Sequence, residues 1–189
     1  MTVAVGAGTA PGGYTITVTG TGASATHSMS VALTVTQAPG GSVVTNGGFE
    51  LGGLSGWTPS GVVAPQAVTP ASHSGAYSAQ LGSSSAYNGN STLSQTVTIP
   101  AGNSRLTFWY QPHCPDTITY DQVQMQIRST SGSTLATVLN ACSNSGAWTQ
   151  VSFNLSPYAG QTVVLWFNDH DDGYPSDPTY FLLDDVSAS

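Results

Sequence analysis

Residues 92–112 read TLSQTVTIPAGNSRLTFWYQP, two runs of alternating polar and apolar residues on either side of a Pro-Ala-Gly turn. Leu93, Val97 and Ile99 share one face of the first run, and Leu106, Phe108 and Tyr110 share one face of the second. A period of two belongs to a strand with one side in a core and the other on a polar surface. The pattern continues downstream. In DQVQMQIRS, residues 121–129, Val123, Met125 and Ile127 alternate with Gln122, Gln124, Gln126 and Arg128. WTQVSFNLS, residues 148–156, carries Val151, Phe153 and Leu155, and QTVVLWFND (161–169) and YFLLDDVS (180–187) are nearly continuous apolar runs. About eight to ten short strands without helical period or internal repeat point to an all-β, two-sheet sandwich over 42–189.

Composition supports the same class. The chain has 189 residues with 22 Gly and 11 Pro, and only 6% are charged. Lys is absent, Glu50 is the sole Glu, and Arg105 and Arg128 are the only strong bases, so good helix formers are scarce and almost no helix is expected. A formal net charge of -7 excludes nucleic acid as a partner, because phosphate neutralisation needs clustered Lys and Arg. An anionic membrane surface is excluded on the same ground. No apolar run is long enough to span a bilayer, and the opening MTVAVGAGTAPGG lacks the basic and long apolar regions of a signal peptide. Cys114 and Cys142 lie in loop-like surroundings, QPHCPD and LNACSNSG. An even count beneath a Ser/Thr/Gly-rich surface suggests one disulfide and a secreted, oxidising setting; two unpaired buried thiols are the alternative.

Residues 1–37 form a separate segment. TVAV, YTITVTGTG and HSMSVALTVT read as three strands, with alternation at Tyr14, Ile16 and Val18 and at Val31, Leu33 and Val35. Three strands cannot close a sandwich, so this sheet is completed by missing sequence or by self-association with a second copy. Pro39 and Gly40-Gly41 break the pattern in a linker at 38–41.

Two resemblances are carried by ordered landmarks. The GGYTITVTGT hairpin and following strand resemble the last strands of bacterial immunoglobulin-like repeats. TNGGFE, GLSGWTPS, SHSGAYSAQL, TLSQTVTIPAG with LTFWY, AWTQVSFNLSPYAGQTVVLWF and the closing FLLDDVS, in that order, resemble carbohydrate-binding modules of the family 4 and 9 jelly-roll type across 42–189. Such modules are appended to secreted hydrolases, and similar tails follow secreted peptidases. The resemblance implies a non-catalytic module that binds polysaccharide beside the catalytic domain of a parent enzyme. A structural or protein-binding appendage without a glycan ligand is the other reading.

The resemblance also implies a structural calcium ion between the terminal strands. Glu50 interrupts an otherwise apolar first strand and Asp184-Asp185 an apolar last strand, and calcium turns such costly carboxylates into hard-oxygen ligands. Glu50 and one of Asp184 or Asp185 are the expected side-chain ligands, with Asn46 and backbone oxygens near Ser74 and Gly75. The shared parity of Asp184 with Leu182 and Val186 favours it over Asp185. A second acidic cluster, NDHDDGYPSDP, offers Asp169, Asp171 and Asp172 as a further metal candidate, which Asp116 and Asp121 join if the loops meet. Its spacing is not that of an EF-hand, and a solvated turn is the competing reading.

A sugar needs aromatic faces for its C–H surfaces and amides or carboxylates for its hydroxyls. Trp109 and Gln111 lie opposite the apolar side of one run, and Gln122, Gln124, Gln126 and Arg128 opposite that of another. If those strands are neighbours, they build an amide-lined concave sheet face, which Trp166 joins because Leu165 and Phe167 point the other way. Ordinary solvated surface is the alternative. Trp57 and Trp148 are assigned to packing.

Catalysis is disfavoured. Glycoside hydrolysis ordinarily takes two carboxylates across one bond, and the nine acids are divided between the metal positions, one loop and one turn. His27, His73, His113 and His170 are scattered, and no GxSxG nucleophile motif occurs. A zinc site from His113, His170 and Asp171 would require their loops to meet.

Overall fold

The computed structural model describes residues 12–35, 42–69, 71–101 and 104–189. The chain divides into two compact units at Gly41/Ser42. In the first, β1 (Gly12–Thr21) and β2 (Thr26–Val35) form an antiparallel hairpin. The Gly22 N–H donates to the Ala25 carbonyl at 2.9 Å to close its turn. The expected strand at residues 2–5 and the linker at 38–41 lie outside the described residues.

The second unit is all-β: two five-stranded antiparallel sheets pack as a sandwich, with one short 3-10 turn at Ser156–Tyr158. Its strands are β3 (Thr58–Gly61), β4 (Gln66–Val68), β5 (Ser78–Gly82), β6 (Asn88–Thr98), β7 (Arg105–His113), β8 (Gln122–Arg128), β9 (Thr134–Ala141), β10 (Thr149–Asn154), β11 (Thr162–Asp172) and β12 (Tyr180–Ala188). One sheet has the order β10-β7-β12-β5-β4 and the other β3-β6-β11-β8-β9. Consecutive strands β6, β7 and β8 therefore alternate between the two sheets.

Alternation places the core as the sequence requires. Leu93, Ile99, Leu106, Phe108, Val123, Met125, Ile127 and Leu165 are fully buried, each worth about 1.5–3 kcal/mol against exposure. Phe108 of one sheet meets Phe167 of the other edge-on, with ring centroids 5.2 Å apart at 88°. Trp57 continues this cluster, 6.0 Å from Phe167 and 5.6 Å from Phe49, and its indole N–H donates to the Asn46 carbonyl at 3.1 Å. A buried indole needs such a partner.

One expectation is corrected. The segment holding Glu50 is a run of turns, not a first strand: Phe49 N–H bonds the Asn46 carbonyl and Gly52 N–H the Phe49 carbonyl, and Asn46 and Phe49 take positive φ of 50° and 58°. Two left-handed non-glycine residues within four positions cannot lie in a strand. The segment is nonetheless tied to the last strand. Val43 N–H donates to Ala188 and Val186 N–H to Gly47, at 2.8 and 2.9 Å. A Cβ on Gly47 would overlap the Val186 carbonyl, so this close approach requires glycine.

Candidate functional site

The outer face of β3-β6-β11-β8-β9 carries the densest set of organised polar groups. Register places Trp166 of β11 opposite Gln126 of β8, Asn168 opposite Gln124 and His170 opposite Gln122. The Arg128 guanidinium lies 3.3 Å from the centroid of the Trp166 ring, a cation–π contact. Partial burial draws the Arg128 pKa down, but a guanidinium stays charged at any physiological pH. Arg128 Nε donates to Gln126 Oε1 at 2.8 Å, and the Thr134 hydroxyl donates to the same oxygen at 2.9 Å. Gln124 Nε2 donates to Gln122 Oε1 at 2.8 Å and to Asn140 Oδ1 at 3.2 Å. Asn168 Nδ2 donates to Asn90 Oδ1 at 3.1 Å, and His170 Nδ1 lies 3.2 Å from that oxygen. These bonds hold the amides in fixed orientation and leave further donors and acceptors facing outward, which lowers the ordering cost of gripping a hydroxylated ligand.

Trp109 and Gln111 do not belong to this face. β7 and β8 are not neighbours: β7 lies in the other sheet, between β10 and β12. The single face expected from Trp109 with the glutamine row is therefore divided, because the chain passes after β7 to the other sheet instead of closing a hairpin. Trp109 stacks on His73 at 3.8 Å and 14°, and Trp148 meets the same imidazole edge-on at 5.7 Å. Gln111 Nε2 donates to the Gly146 carbonyl at 2.7 Å and pins the loop before β10. Gln124, Gln126, Arg128 and Trp166 remain together.

The terminal carboxylates converge on loop 72–77. Glu50 accepts the Ala76 and Tyr77 N–H groups, each at 2.9 Å to Oε1. Gly75 has φ +63° and sits against that carboxylate where a side chain would collide with it. Asp184 Oδ2 accepts the His73 and Ser74 N–H groups at 2.8 and 3.1 Å, and Oδ1 accepts from Asp185 N–H at 2.7 Å. Asp184 is fully buried, and burial pushes its carboxyl up to about 6 despite those bonds. Asp185 pairs with His73 Nδ1 and the Ser74 hydroxyl, both at 2.7 Å. Asn46 turns elsewhere: its Nδ2 donates to the Gly53 and Ser55 carbonyls and its Oδ1 accepts from Leu51 N–H, so it caps its own turn. His73 was assigned no role from sequence, yet it joins Asp185 to Trp109. Its only signal was its position beside Ser74.

Cys114 and Cys142 are disulfide-bonded, with Cα atoms 5.2 Å apart. The second acidic group gathers at the end of β11. Asp169 and Asp171 are buried there together with Asp121, and Asp116, Asp121 and Asp172 each bring a carboxylate oxygen within 4.8 Å of the others.

A family described as a carbohydrate binding domain matches residues 41–173. No curated protein matches the sequence. Among solved structures, TmCBM61 in complex with β-1,4-galactotriose is similar at TM-score 0.60 and 19% identity, covering 78% of this chain and 97% of that one. The CBM22-1 xylan-binding domain of Paenibacillus barcinonensis Xyn10C is similar at 0.52 and 18%, covering 80% and 96%. The K3 cleaved adhesin domain of Lys-gingipain from Porphyromonas gingivalis w83 is similar at 0.53 and 16%, covering 75% and 96%. At these identities the likenesses establish the sandwich fold.

Proposed function

This chain belongs to the carbohydrate binding domain family, and from that premise we propose that its 42–189 unit holds a polysaccharide against the β3-β6-β11-β8-β9 face for the catalytic domain of a secreted enzyme. The carrying observation is the Trp166–Arg128 stack set among pre-bonded Gln122, Gln124, Gln126, Asn90, Asn140 and Asn168. The Arg128 guanidinium, held flat on the Trp166 ring, offers a planar donor surface backed by an aromatic, and the amides meet hydroxyls with both donors and acceptors. Tethering polysaccharide beside a catalytic domain raises its effective concentration without chemistry in the module itself. The disulfide supports a secreted setting. In this reading residues 1–37 are a connector derived from an immunoglobulin-like repeat, with an edge available for self-association.

Calcium completes the proposal. The Glu50, Asp184 and Asp185 carboxylates surround loop 72–77, and His73 is their single ion-pair partner among the described residues. A buried Asp184 without a strong base beside it suits a hard divalent cation, with Glu50 as the second side-chain ligand and loop carbonyls near Ser74 and Gly75 completing the shell, while Asp185 is held by His73 and the Ser74 hydroxyl. When bound, the ion would neutralise this charge and fasten the 42–57 turns to β12.

A second reading has one observation in its favour. Trp109 is covered by His73 and Trp166 by Arg128, so neither ring is a bare platform. That would suit a stabilising or protein-contacting appendage of a secreted peptidase or other hydrolase. An array of immobilised polysaccharides separates the two: the first reading predicts binding to at least one β-linked glycan, and an array without hits would leave the appendage.

A further inference from the structure

We infer that the outer face of the other sheet, β10-β7-β12-β5-β4, is a second and weaker carbohydrate-binding site, for neutral polysaccharide, so that one module holds two glycan chains on opposite sides. Pairing register lines up Gln111 of β7, Leu182 of β12, Gln80 of β5 and Gln66 of β4 in one row across four strands. Directly opposed residues of antiparallel strands share a face, and Phe108, Leu183 and Leu81 on these strands point into the core, so the row points outward. At about 4.8 Å per strand it spans about 14 Å, with an amide at each end and a third between them.

Aromatic rings flank the row on both sides along β7. Two residues before Gln111, Trp109 carries His73 stacked at 3.8 Å, and Trp148 stands edge-on to the same imidazole. Two residues after Gln111, His113 stacks on Tyr180, its partner in register on β12, at 4.3 Å and 11°. All five rings are half-buried, so each keeps part of its surface in solvent. The loop that carries Trp148 is fastened to the same face. Gln111 Nε2 donates to the Gly146 carbonyl at 2.7 Å, and Gly146 N–H donates to the Pro112 carbonyl at 3.2 Å. Gly146 takes φ +60° there, against the His113 ring. Rings and amides are thus in place before a ligand arrives, which lowers the cost of binding.

The chemistry of this face selects among partners. Its row carries no charge, and burial lowers the His113 pKa, so that ring is neutral at pH 7. Asp185 is paired with His73, and Arg105 stands at the far end of β7, bonded to the Ser152 hydroxyl. A nucleic acid or an anionic glycan would need clustered bases, which this face lacks among the described residues. A protein partner needs exposed apolar anchors at the centre of its interface. None of the large exposed apolar side chains among the described residues lies on β4, β5, β7, β10 or β12, and Leu182, the apolar member of the row, is 4% exposed. Amides set between partly exposed rings are what the hydroxyls and C–H surfaces of an uncharged sugar require.

The two faces share no residue. Gln122, Gln124, Gln126, Arg128 and Trp166 lie on β8 and β11, whereas Gln66, Gln80 and Gln111 lie on strands of the opposite sheet. The sheets stack about 10 Å apart with the core between them, so a short stretch of glycan touches one face only, and the second site does not depend on the first. It is the weaker of the two because its row has three amides against six on the β3-β6-β11-β8-β9 face.

Affinity electrophoresis of the full chain through gels containing soluble β-glucan, xylan or galactan tests this inference. Trp166→Ala is expected to keep a residual retardation in at least one gel, about tenfold weaker than that of the unsubstituted protein or less. Adding Q66A/Q80A/W148A to the Trp166→Ala protein is expected to abolish it, with the melting temperature unchanged. Residual retardation that survives the three added substitutions would overturn the site, as would complete absence of retardation in Trp166→Ala. If the combined variant does not fold, Q66A alone in the Trp166→Ala protein decides, because Gln66 is exposed and outside the core: weaker retardation supports the site and unchanged retardation overturns it. Failure of the first face reads differently. Retardation untouched by Trp166→Ala but lost in Q66A/Q80A/W148A would remove the β3-β6-β11-β8-β9 face and leave this one standing.

Discussion

Asp184 shows how one buried carboxylate ties the chain's ends to solution conditions. Its carboxyl titrates near 6 in the folded protein, against an ordinary value near 4 for an unfolded Asp. Between those values the native state holds more protons than the unfolded chain, so stability increases as pH falls from neutrality through 6 and levels off near 4. In the chelator-treated protein the urea midpoint is therefore expected to rise from pH 7 to pH 5, with Asp184 supplying about 1–3 kcal/mol. His113, whose pKa burial lowers, acts in the opposite sense, so comparison with Asp184→Asn isolates the effect. A midpoint shift as large in Asp184→Asn as in the parent would refute this account. At this scale the sequence reveals which residues carry charge but not what they touch. Glu50 and Asp184 stand out because carboxylates are rare in this chain, whereas His73 acquires its role only when loop 72–77 folds between Trp109 and Asp185.

At the scale of elements, legibility follows periodicity. β6, β7, β8 and β11 are visible because each buries every second side chain along much of its length. Sheet partners are another matter, since period two fixes the face of a residue and says nothing of which strand lies beside it. That is why the glutamine row and Trp166 are found together while Trp109 and Gln111 are found in the other sheet. The Glu50 segment is a run of turns rather than a strand, and its sequence carries the signal: Asn46-Gly47-Gly48 and Gly52-Gly53 are turn dipeptides, and Asn46, Phe49 and Gly52 take positive φ. The disulfide was legible from count and context. It spans a sequence separation of 28, and replacing both cysteines by serine is expected to lower unfolding free energy by about 3–4 kcal/mol in the chain-entropy account. Chemical denaturation of the double variant measures this, and a loss below about 1 kcal/mol would show that the bridge adds little to loops 114–121 and 142–148.

For the molecule as a whole, the sandwich separates stability from recognition. The core is apolar and continuous across both sheets, with Phe108 and Phe167 at its centre, while the acidic residues gather at loop 72–77 and at the end of β11. A calcium ion held by Glu50 and Asp184, as proposed, would stabilise the native state by mass action, so chelation is expected to lower the melting temperature by several degrees, with recovery on adding calcium. An identical melting curve in chelator would remove calcium from the account. The proposed recognition face instead carries half-buried residues, Trp166, Gln124, Gln126 and Arg128 among them, whose truncation leaves the apolar core intact. Titration of the chain with soluble β-glucans, xylans and galactans, beside Trp166→Ala, tests the central claim most directly. Saturable binding to at least one of them, weakened at least tenfold by Trp166→Ala with the melting temperature held within about two degrees, is the predicted result. Absence of binding to every polysaccharide, or equal affinity in Trp166→Ala, would contradict it.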